Sequence, residues 1–337
     1  MTRDTTGTAA RVALRATAFS WPDRTVSVAD LPGRATLNAA EREAMTGLGI
    51  GRIYADDTVS GFELASAAAR DALARAGLAP SDIGALILIE PRAPESLMVS
   101  EATRLQAVLG LDRATVFTVG GLGCVSVTPA LLTARGLIAA DLEMDNVLIV
   151  HGSKPVAPLR YRHPVTVSGD GGMAAVISRT GPTRILDILQ ETNGDYWDLF
   201  AVDYRVRPAN RWQERCRDLH DYTFLLAVES GTRLRAMHTK LLRRNNINPD
   251  DDLVHIGHNL SDGSLHFIEE TLDVEITPAC YDNLHHHGHL GPNDVLLNLR
   301  TAIERGELHP GQRALLINSS PVAAWSLVLV ETHDDAG

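Results

Sequence analysis

The sequence predicts an α/β fold built from two similar halves, and three observations predict it. Short runs such as 83–89 and 146–150 are apolar without alternation, as strands buried on both faces of a parallel sheet are. Between such runs lie segments whose apolar residues recur at helical spacing, the βα alternation of a sheet covered by helices. The order of elements also recurs along the chain. Ala-Gly-Leu-Ala-Pro-Ser-Asp leads into 83–89, and Asn-Ile-Asn-Pro-Asp-Asp-Asp leads into a second apolar run at 253–257. Recurrence of that kind is a fold-level signal.

Taken in order, residues 1–9 read as a disordered tail, 12–20 as a strand and 38–45 as a short helix. A helix is expected over 58–76, where Val59, Phe62, Leu64, Ala65, Ala68, Leu73 and Ala74 share a face and Gly77 ends the run. The strand 83–89, a helix over 100–109 and a strand over 114–119 follow. A helix running from the region of Cys124 to about 140 comes next, then the strand 146–150. The turn Gly169-Asp170-Gly171-Gly172 introduces a strand at 173–178. The second half repeats this plan, with a helix over 222–244, a strand over 253–257, a helix led by Ser261 and Asp262, a helix over 293–305, and strands over 314–318 and 325–330. The halves meet near residue 180, giving an N-terminal unit 1–180 and a C-terminal unit 181–337. The aromatic and charged stretch 195–217 is expected to cross the mouth of a site or to contact a second subunit.

Composition narrows the function classes. The formal charge of -11 disfavours a nucleic acid or anionic membrane as partner. The first ten residues are polar, without the apolar core of a signal peptide, and no run approaches the roughly 20 apolar residues of a membrane span. The three cysteines, Cys124, Cys216 and Cys280, are far apart and not in CxxC spacing. That pattern disfavours a disulfide framework or structural zinc and fits a reducing cytoplasm.

Four groups of residues could carry chemistry. Residues 117–140 run from a β-branched stretch through three glycines to Cys124 and then into a helix. A cysteine at a helix start lies in a field that favours thiolate, the nucleophilic form, while a small buried apolar residue would occupy the same place. The local pattern leaves both readings open. His258 follows the strand 253–257, at the end of an open α/β sheet where ligands bind, and a helix-start histidine bonded to backbone is the alternative. His255, by alternation, faces the other way and reads as structural. In Asn283-Leu284-His285-His286-His287-Gly288-His289 a metal site is one reading, but adjacent residues seldom converge on one ion and no HExxH spacing accompanies them. One catalytic histidine with the others on a solvated loop is the preferred reading. The turn 168–172 lacks a P-loop lysine and reads as structural rather than phosphate-binding.

Together these pieces resemble the thiolase-fold enzymes, in particular the β-ketoacyl-ACP synthase III family and its acyltransferase relatives in secondary metabolism. Thr46-Gly47-Leu48-Gly49-Ile50 with Thr58-Val59 is similar to the family's early Thr-Arg-Thr-Gly-Ile segment. Gly123-Cys124-Val125-Ser126 falls at the nucleophile position. Gly169-Asp170-Gly171-Gly172-Met173-Ala174-Ala175 is similar to the Gly-Asp-Gly-Ala-Gly-Ala-Ala turn. Gly257-His258-Asn259-Leu260-Ser261 resembles the Pro-His-Asn-Val-Asn form of the catalytic-histidine motif. Gly288-His289-Leu290-Gly291 falls where the synthases carry Gly-Asn-Thr-Ser.

The resemblance implies a layered α-β-α-β-α thiolase fold, a cytoplasmic homodimer, and catalysis by Cys124, His258 and His289 without metal or bound cofactor. It also implies acyl-CoA or an acyl carrier protein as donor. Three departures bear on the reaction. His289 replaces an asparagine, Gly47 replaces an arginine that contacts coenzyme A, and Ser319-Ser320-Pro321-Val322-Ala323-Ala324 replaces a glycine-rich loop whose backbone N–H serves the oxyanion hole. Proline has no N–H. The expected chemistry is acyl transfer through a Cys124 thioester, with the Cys124 N–H and a partner from 319–324 on the oxyanion, and with both histidines acting on the second substrate. An alcohol or amine acceptor is favoured slightly over decarboxylative condensation with malonyl-ACP. A non-catalytic thiolase-fold partner subunit and a metal-dependent hydrolase are the remaining alternatives.

Overall fold

The structure is a computed structural model that describes residues 11–202, 204–248 and 251–334; the expected tail at 1–9 lies outside the described residues. Its main sheet has nine strands: β1 (Val12–Ser20), β2 (Ala85–Ile89), β3 (Thr115–Val119), β4 (Asn146–Ser153), β5 (Gly171–Ser178), β6 (Thr183–Thr192), β7 (Leu253–Ile256), β8 (Arg313–Ser320) and β9 (Ala324–Thr332). The spatial order is β7-β8-β9-β6-β1-β5-β4-β2-β3. Among the described residues eight α-helices accompany it: α1 (Ala39–Thr46), α2 (Gly61–Ala76), α3 (Glu101–Leu109), α4 (Val127–Ala140), α5 (Leu226–Arg244), α6 (Asp262–Leu272), α7 (Pro278–His287) and α8 (Asp294–Glu304).

Read outward from its centre, the sheet makes the duplication visible. One side runs β1-β5-β4-β2-β3 and the other β6-β9-β8-β7, so each half places its first strand beside its last. The halves are joined into one sheet where Val12, Ala13 and Leu14 of β1 pair with Ile185, Arg184 and Thr183 of β6. Among the described residues the second half shows no counterpart of β3, and a single parallel bridge between His255 and Ile276 lies at that edge. Helices α4 and α8 each touch strands of both halves and lie between them, whereas α2 and α5 cover the outer faces. This is the layered α/β thiolase-like arrangement that the sequence predicts.

The local causes are readable. In β2 all five residues are buried, and the strand pairs in parallel with both β3 and β4, as an apolar run without alternation requires. Helix α2 begins at Gly61 rather than 58. The Ser60 side chain accepts from Glu63 N and the Glu63 carboxylate accepts from Ser60 N, while Thr58 is held in a turn by Asp56. Helix α4 is preceded by a 3-10 turn, Gly123–Ser126, which carries Cys124. By length and composition Gly123–Ala140 could cross a membrane, contrary to the expectation that no run would approach a span; half of it is buried, as a core helix packed between the halves of the sheet.

Two expectations are corrected and one strand is new. Gly171 and Gly172 belong to β5 and not to a turn before it. Strand β6, which had no separate prediction, crosses the middle of the sheet. Residues 285–287 do not lie on a solvated loop: they are the last turn of α7, started by Pro278 at its first position.

Candidate active site

Cys124 is positioned by a left-handed glycine and by the opposite half of the molecule. Gly123 has φ 55°, and a Cβ there would come within 2.5 Å of Ser320 Oγ. The Cys124 carbonyl accepts from Asn318 Nδ2 at 2.8 Å, and Leu122 N donates to Ser126 Oγ at 3.1 Å, which closes the turn around the thiol. A cavity of about 360 Å³ opens on Cys124, walled in part by His151, Arg92, Arg162, Glu214, Phe200 and Pro321.

His289 reaches the sulfur from the C-terminal half. Its own N–H donates to Val167 O and its carbonyl accepts from Gly169 N, so the segment is stitched to residues 167–169 of the first half. Gly288 makes this close approach possible. It has φ 63°, and an added Cβ would lie 2.7 Å from both Ile53 Cγ2 and Val167 O. His289 Nε2 is 3.1 Å from Cys124 Sγ, and its Nδ1 is 2.7 Å from Asp294 Oδ2. Asp294 opens α8, and its oxygens also accept from Asn259 N (3.1 Å) and Leu290 N (2.8 Å). A carboxylate only accepts, so Nδ1 carries a hydrogen and Nε2 is the atom that exchanges a proton with sulfur. His289 and Asp294 have no exposed surface and Cys124 is 3% exposed.

The electrostatics of this chain favour an ion pair. Burial alone would lower the His289 pKa, but the Cys124 sulfur and the Asp294 carboxylate outweigh it and push the value up to about 9. Burial would raise the Cys124 thiol, yet the His289 charge and hydrogen bond, aided by Arg92 and Arg162, bring it below the ordinary range. Both shifts act in the direction of a thiolate facing an imidazolium.

The other predicted residue, His258, lies within electrostatic reach of His289 and Asp294, although among the described residues no hydrogen bond joins it to Cys124 or His289. His258 follows β7 and is 1% exposed; its Nε2 is 3.4 Å from Ser319 Oγ, and its Nδ1 has no partner. Burial pushes its pKa down to about 4, so it is neutral at pH 7. The cluster 285–289 does not converge on one point. His285 Nδ1 lies by Gly49 O, His286 Nδ1 by Asp282 O, and His287 packs against Trp21 (4.5 Å, tilted) and Tyr54 (5.5 Å, stacked), two rings that also stack on each other. Among the described residues, ligand-type groups close enough to share an ion are Asp218, His220 and Asp221, which are largely exposed. The turn 168–172 is structural in its contacts: Asp170 is fully buried and takes Arg160 Nη1 at 2.5 Å, Lys154 Nζ at 3.3 Å and Asp56 N at 3.0 Å.

Sequence reasoning missed several residues here. Asp294 gave one signal, an acidic residue at a helix start five positions after His289. His151 directly follows the apolar run 147–150 of β4, now seen to extend past 150. Its Nδ1 lies 2.7 Å from Asn293 Oδ1, and Asn293 Nδ2 donates to Gly171 O, so the amide orientation makes His151 Nδ1 the donor. Burial pushes its pKa down to about 4. Adjacent residues 293 and 294 thus each hold one imidazole near the cavity. Stretch 195–217 supplies a two-stranded ribbon, Phe200–Val202 with Glu214–Cys216, that forms one cavity wall, in line with the mouth-crossing expectation.

Comparison with known proteins adds its relatives. No family model matches the chain. The β-ketoacyl-[acyl-carrier-protein] synthase III of Helicobacter pylori strain J99 is 27% identical over 290 residues, covering 83% of this chain and 86% of that protein. The enzyme of the same name from Campylobacter jejuni (serotype O:6, strain 81116) is 25% identical over 324 residues, covering 95% and 98%. Among solved structures, ChlB3, described as an acyltransferase, superposes with a TM-score of 0.81 at 20% identity over 96% of this chain and 98% of its own. 3-Oxoacyl-(acyl carrier protein) synthase III, FabH, of Pseudomonas aeruginosa PAO1 follows at 0.78 and 19%, covering 96% and 99%. OleA of Xanthomonas campestris, solved with lauric acid and lauroyl-CoA, superposes at 0.76 and 19%, covering 95% and 99%. The chain has the thiolase-like fold of these enzymes and is similar, over most of its length, to the β-ketoacyl-ACP synthase III enzymes.

Proposed function

We propose that this enzyme carries an acyl group as a thioester on Cys124 and delivers it to a hydroxyl or amine of a small molecule. The observation that carries the reading is the buried Cys124–His289–Asp294 chain. The Cys124 thiolate attacks the carbonyl of an acyl-CoA or acyl-carrier thioester. The tetrahedral intermediate expels the carrier thiolate, which takes the proton from His289 Nε2. Neutral His289, with Nδ1–H held by Asp294, then accepts a proton from the acceptor hydroxyl or amine as that atom attacks the acyl carbonyl. Collapse expels the Cys124 thiolate and restores the ion pair. The Cys124 N–H serves the oxyanion. Pro321 offers no N–H, so this reading gives the second position to the Ser320 hydroxyl, which packs against Gly123.

The alternative is decarboxylative condensation with malonyl-ACP, and the names of the sequence relatives favour it. Condensation needs hydrogen-bond donors on the enolate oxygen. In the acyl-enzyme, neutral His289 turns a lone pair, not an N–H, toward the cavity, because Asp294 fixes its tautomer. That is the state of a base, and it supports ester or amide formation. A homodimer and delivery by coenzyme A or a carrier protein belong to the same reading. The test is to chase the acylated enzyme in parallel with small alcohols and amines and with malonyl-ACP. Ester or amide product without carbon dioxide supports the proposal; a β-ketoacyl product with carbon dioxide overturns it for condensation.

A further inference from the structure

We propose, building on the reading of Cys124 as an acyl carrier, that the cavity in front of it selects a substrate bearing a free carboxylate, held by the guanidinium groups of Arg92 and Arg162. The two arginines reach the cavity from different segments, the loop after β2 and a short hairpin, Tyr161–Arg162 with Thr166–Val167. Their side chains are 21% and 13% exposed, and they share one carboxylate, Glu214, itself 8% exposed. Arg92 Nη1 lies 3.3 Å from Glu214 Oε1 and 3.0 Å from Ser168 Oγ, and Arg162 Nε donates to Glu214 Oε2. Among the described residues the remaining N–H groups of both guanidiniums have no hydrogen-bond partner, although Arg162 also lies over the Phe200 ring.

Cys124 acts on both guanidiniums through its charge, but its contact is with His289, and the other charged groups nearby leave the free N–H groups unpaired too. Glu90, on the same wall, is exposed, lies over Gly120 and pairs with neither arginine. Asp294 is behind His289 with its oxygens already bonded, and His151 is neutral. Glu214 is the one carboxylate bonded to the two guanidiniums, so N–H groups of both stay free toward a cavity that is open on one side. A desolvated cation is costly unless an anion arrives to pair with it. Burial and the repulsion of Arg162 accordingly hold Arg92 below the ordinary arginine range, whereas Glu214 holds Arg162 above it. Guanidinium and carboxylate match in geometry, two parallel N–H groups to two oxygens.

The shared chemistry has two sources, an acyl group with a distal carboxylate or an acceptor with one. A purely structural role, in which the cluster only ties the 200–216 ribbon to the body, would affect stability but not selectivity. Two experiments separate these cases. The first compares Cys124 alkylation by iodoacetate and iodoacetamide in wild type, R92Q and R92K, followed by intact mass; it does not depend on any acyl donor. Free thiolates favour the neutral reagent, and the proposal predicts that the iodoacetate-to-iodoacetamide ratio falls roughly 10- to 100-fold in R92Q and is largely kept in R92K, the span of a hydrogen bond to a charged group. An unchanged ratio in R92Q overturns it. The second measures acylation of Cys124 by malonyl-, succinyl- and glutaryl-CoA against butyryl-CoA, then chases the acyl-enzyme with amino acids against simple amines. A carboxylate preference in either arm that R92Q removes supports the proposal and names the source. No preference in either arm overturns it. If no donor acylates Cys124 while the alkylation ratio still depends on Arg92, anion recognition stands and the acyl-carrier reading fails.

Discussion

The contact between His289 and Asp294 can be tested without any substrate. Replacing Asp294 by Asn keeps the shape of a fully buried side chain and removes its charge. The bond to His289 Nδ1 is 2.7 Å long and joins a carboxylate to an imidazolium. Hydrogen bonds to charged groups are worth about 1.5–3 kcal/mol, which is roughly 10- to 100-fold in an equilibrium. The imidazolium is what holds Cys124 as thiolate, so the thiolate population at neutral pH should fall by that factor. The assay is the rate of Cys124 alkylation by iodoacetamide as a function of pH, read by intact mass and peptide mapping to separate it from Cys216 and Cys280. In wild type the rate should already be near its plateau below the ordinary thiol range; in D294N it should be roughly 10- to 100-fold slower at pH 7 and rise only in alkaline solution. A thermal melt shows whether D294N is folded. A folded D294N with the wild-type rate and pH profile would refute the reasoning.

Further predictions follow from the same geometry. Asp170→Ala leaves the buried Arg160 with only the exposed Asp57 and should cost about 3–5 kcal/mol in a denaturant titration; a loss below 1 kcal/mol would show that the pair is dispensable. Gly288→Ala places a Cβ 2.7 Å from Val167 O at a positive φ, so it should displace His289 and slow Cys124 alkylation by more than it lowers the melting temperature in proportion to other glycine variants. Acid should destabilise the fold. Burial pushes His151, His258 and His287 down to about 4, so below about pH 6.5 the unfolded chain binds protons that the folded chain refuses. The contribution of these three histidines is therefore full above pH 6.5 and lost as pH falls toward 4, by up to about 3 kcal/mol for each. Urea midpoints measured from pH 7 to 4.5 should decline, less steeply in His287→Gln; a flat wild-type profile would contradict the burial argument.

What was legible in the sequence followed local physics. β1 was bounded correctly at 12–20, and α2 and α3 were displaced only at their N-termini, where a capping serine, and not the first apolar residue, sets the start. The repeat of elements exposed the two-fold plan of the sheet before any coordinates, because each half must bury the same kinds of faces. The structure brings Cys124 and His289 into contact, while His258 lies against Ser319. Less was legible where partners come from distant segments. Asp294 acts through His289 at a spacing that belongs to no helical or strand period. Arg92, Arg162 and Glu214 meet from a loop, a short hairpin and the 200–216 ribbon, and nothing local distinguishes them from surface charges. The histidine run misled for the opposite reason. Its composition resembled a solvated or metal-binding tract, yet α7 turns each ring to a different neighbour, and Trp21 and Tyr54 take His287 as an aromatic partner.

The central claim is that Cys124 accepts the acyl group. The most direct measurement is intact-protein mass spectrometry of wild type and Cys124→Ala after mixing with a panel of acyl-CoAs and acyl-carrier proteins. The account predicts one acyl mass added to wild type, mapped to Cys124 and absent from the variant. Equal adducts on both proteins, or none on wild type with any donor, would contradict it.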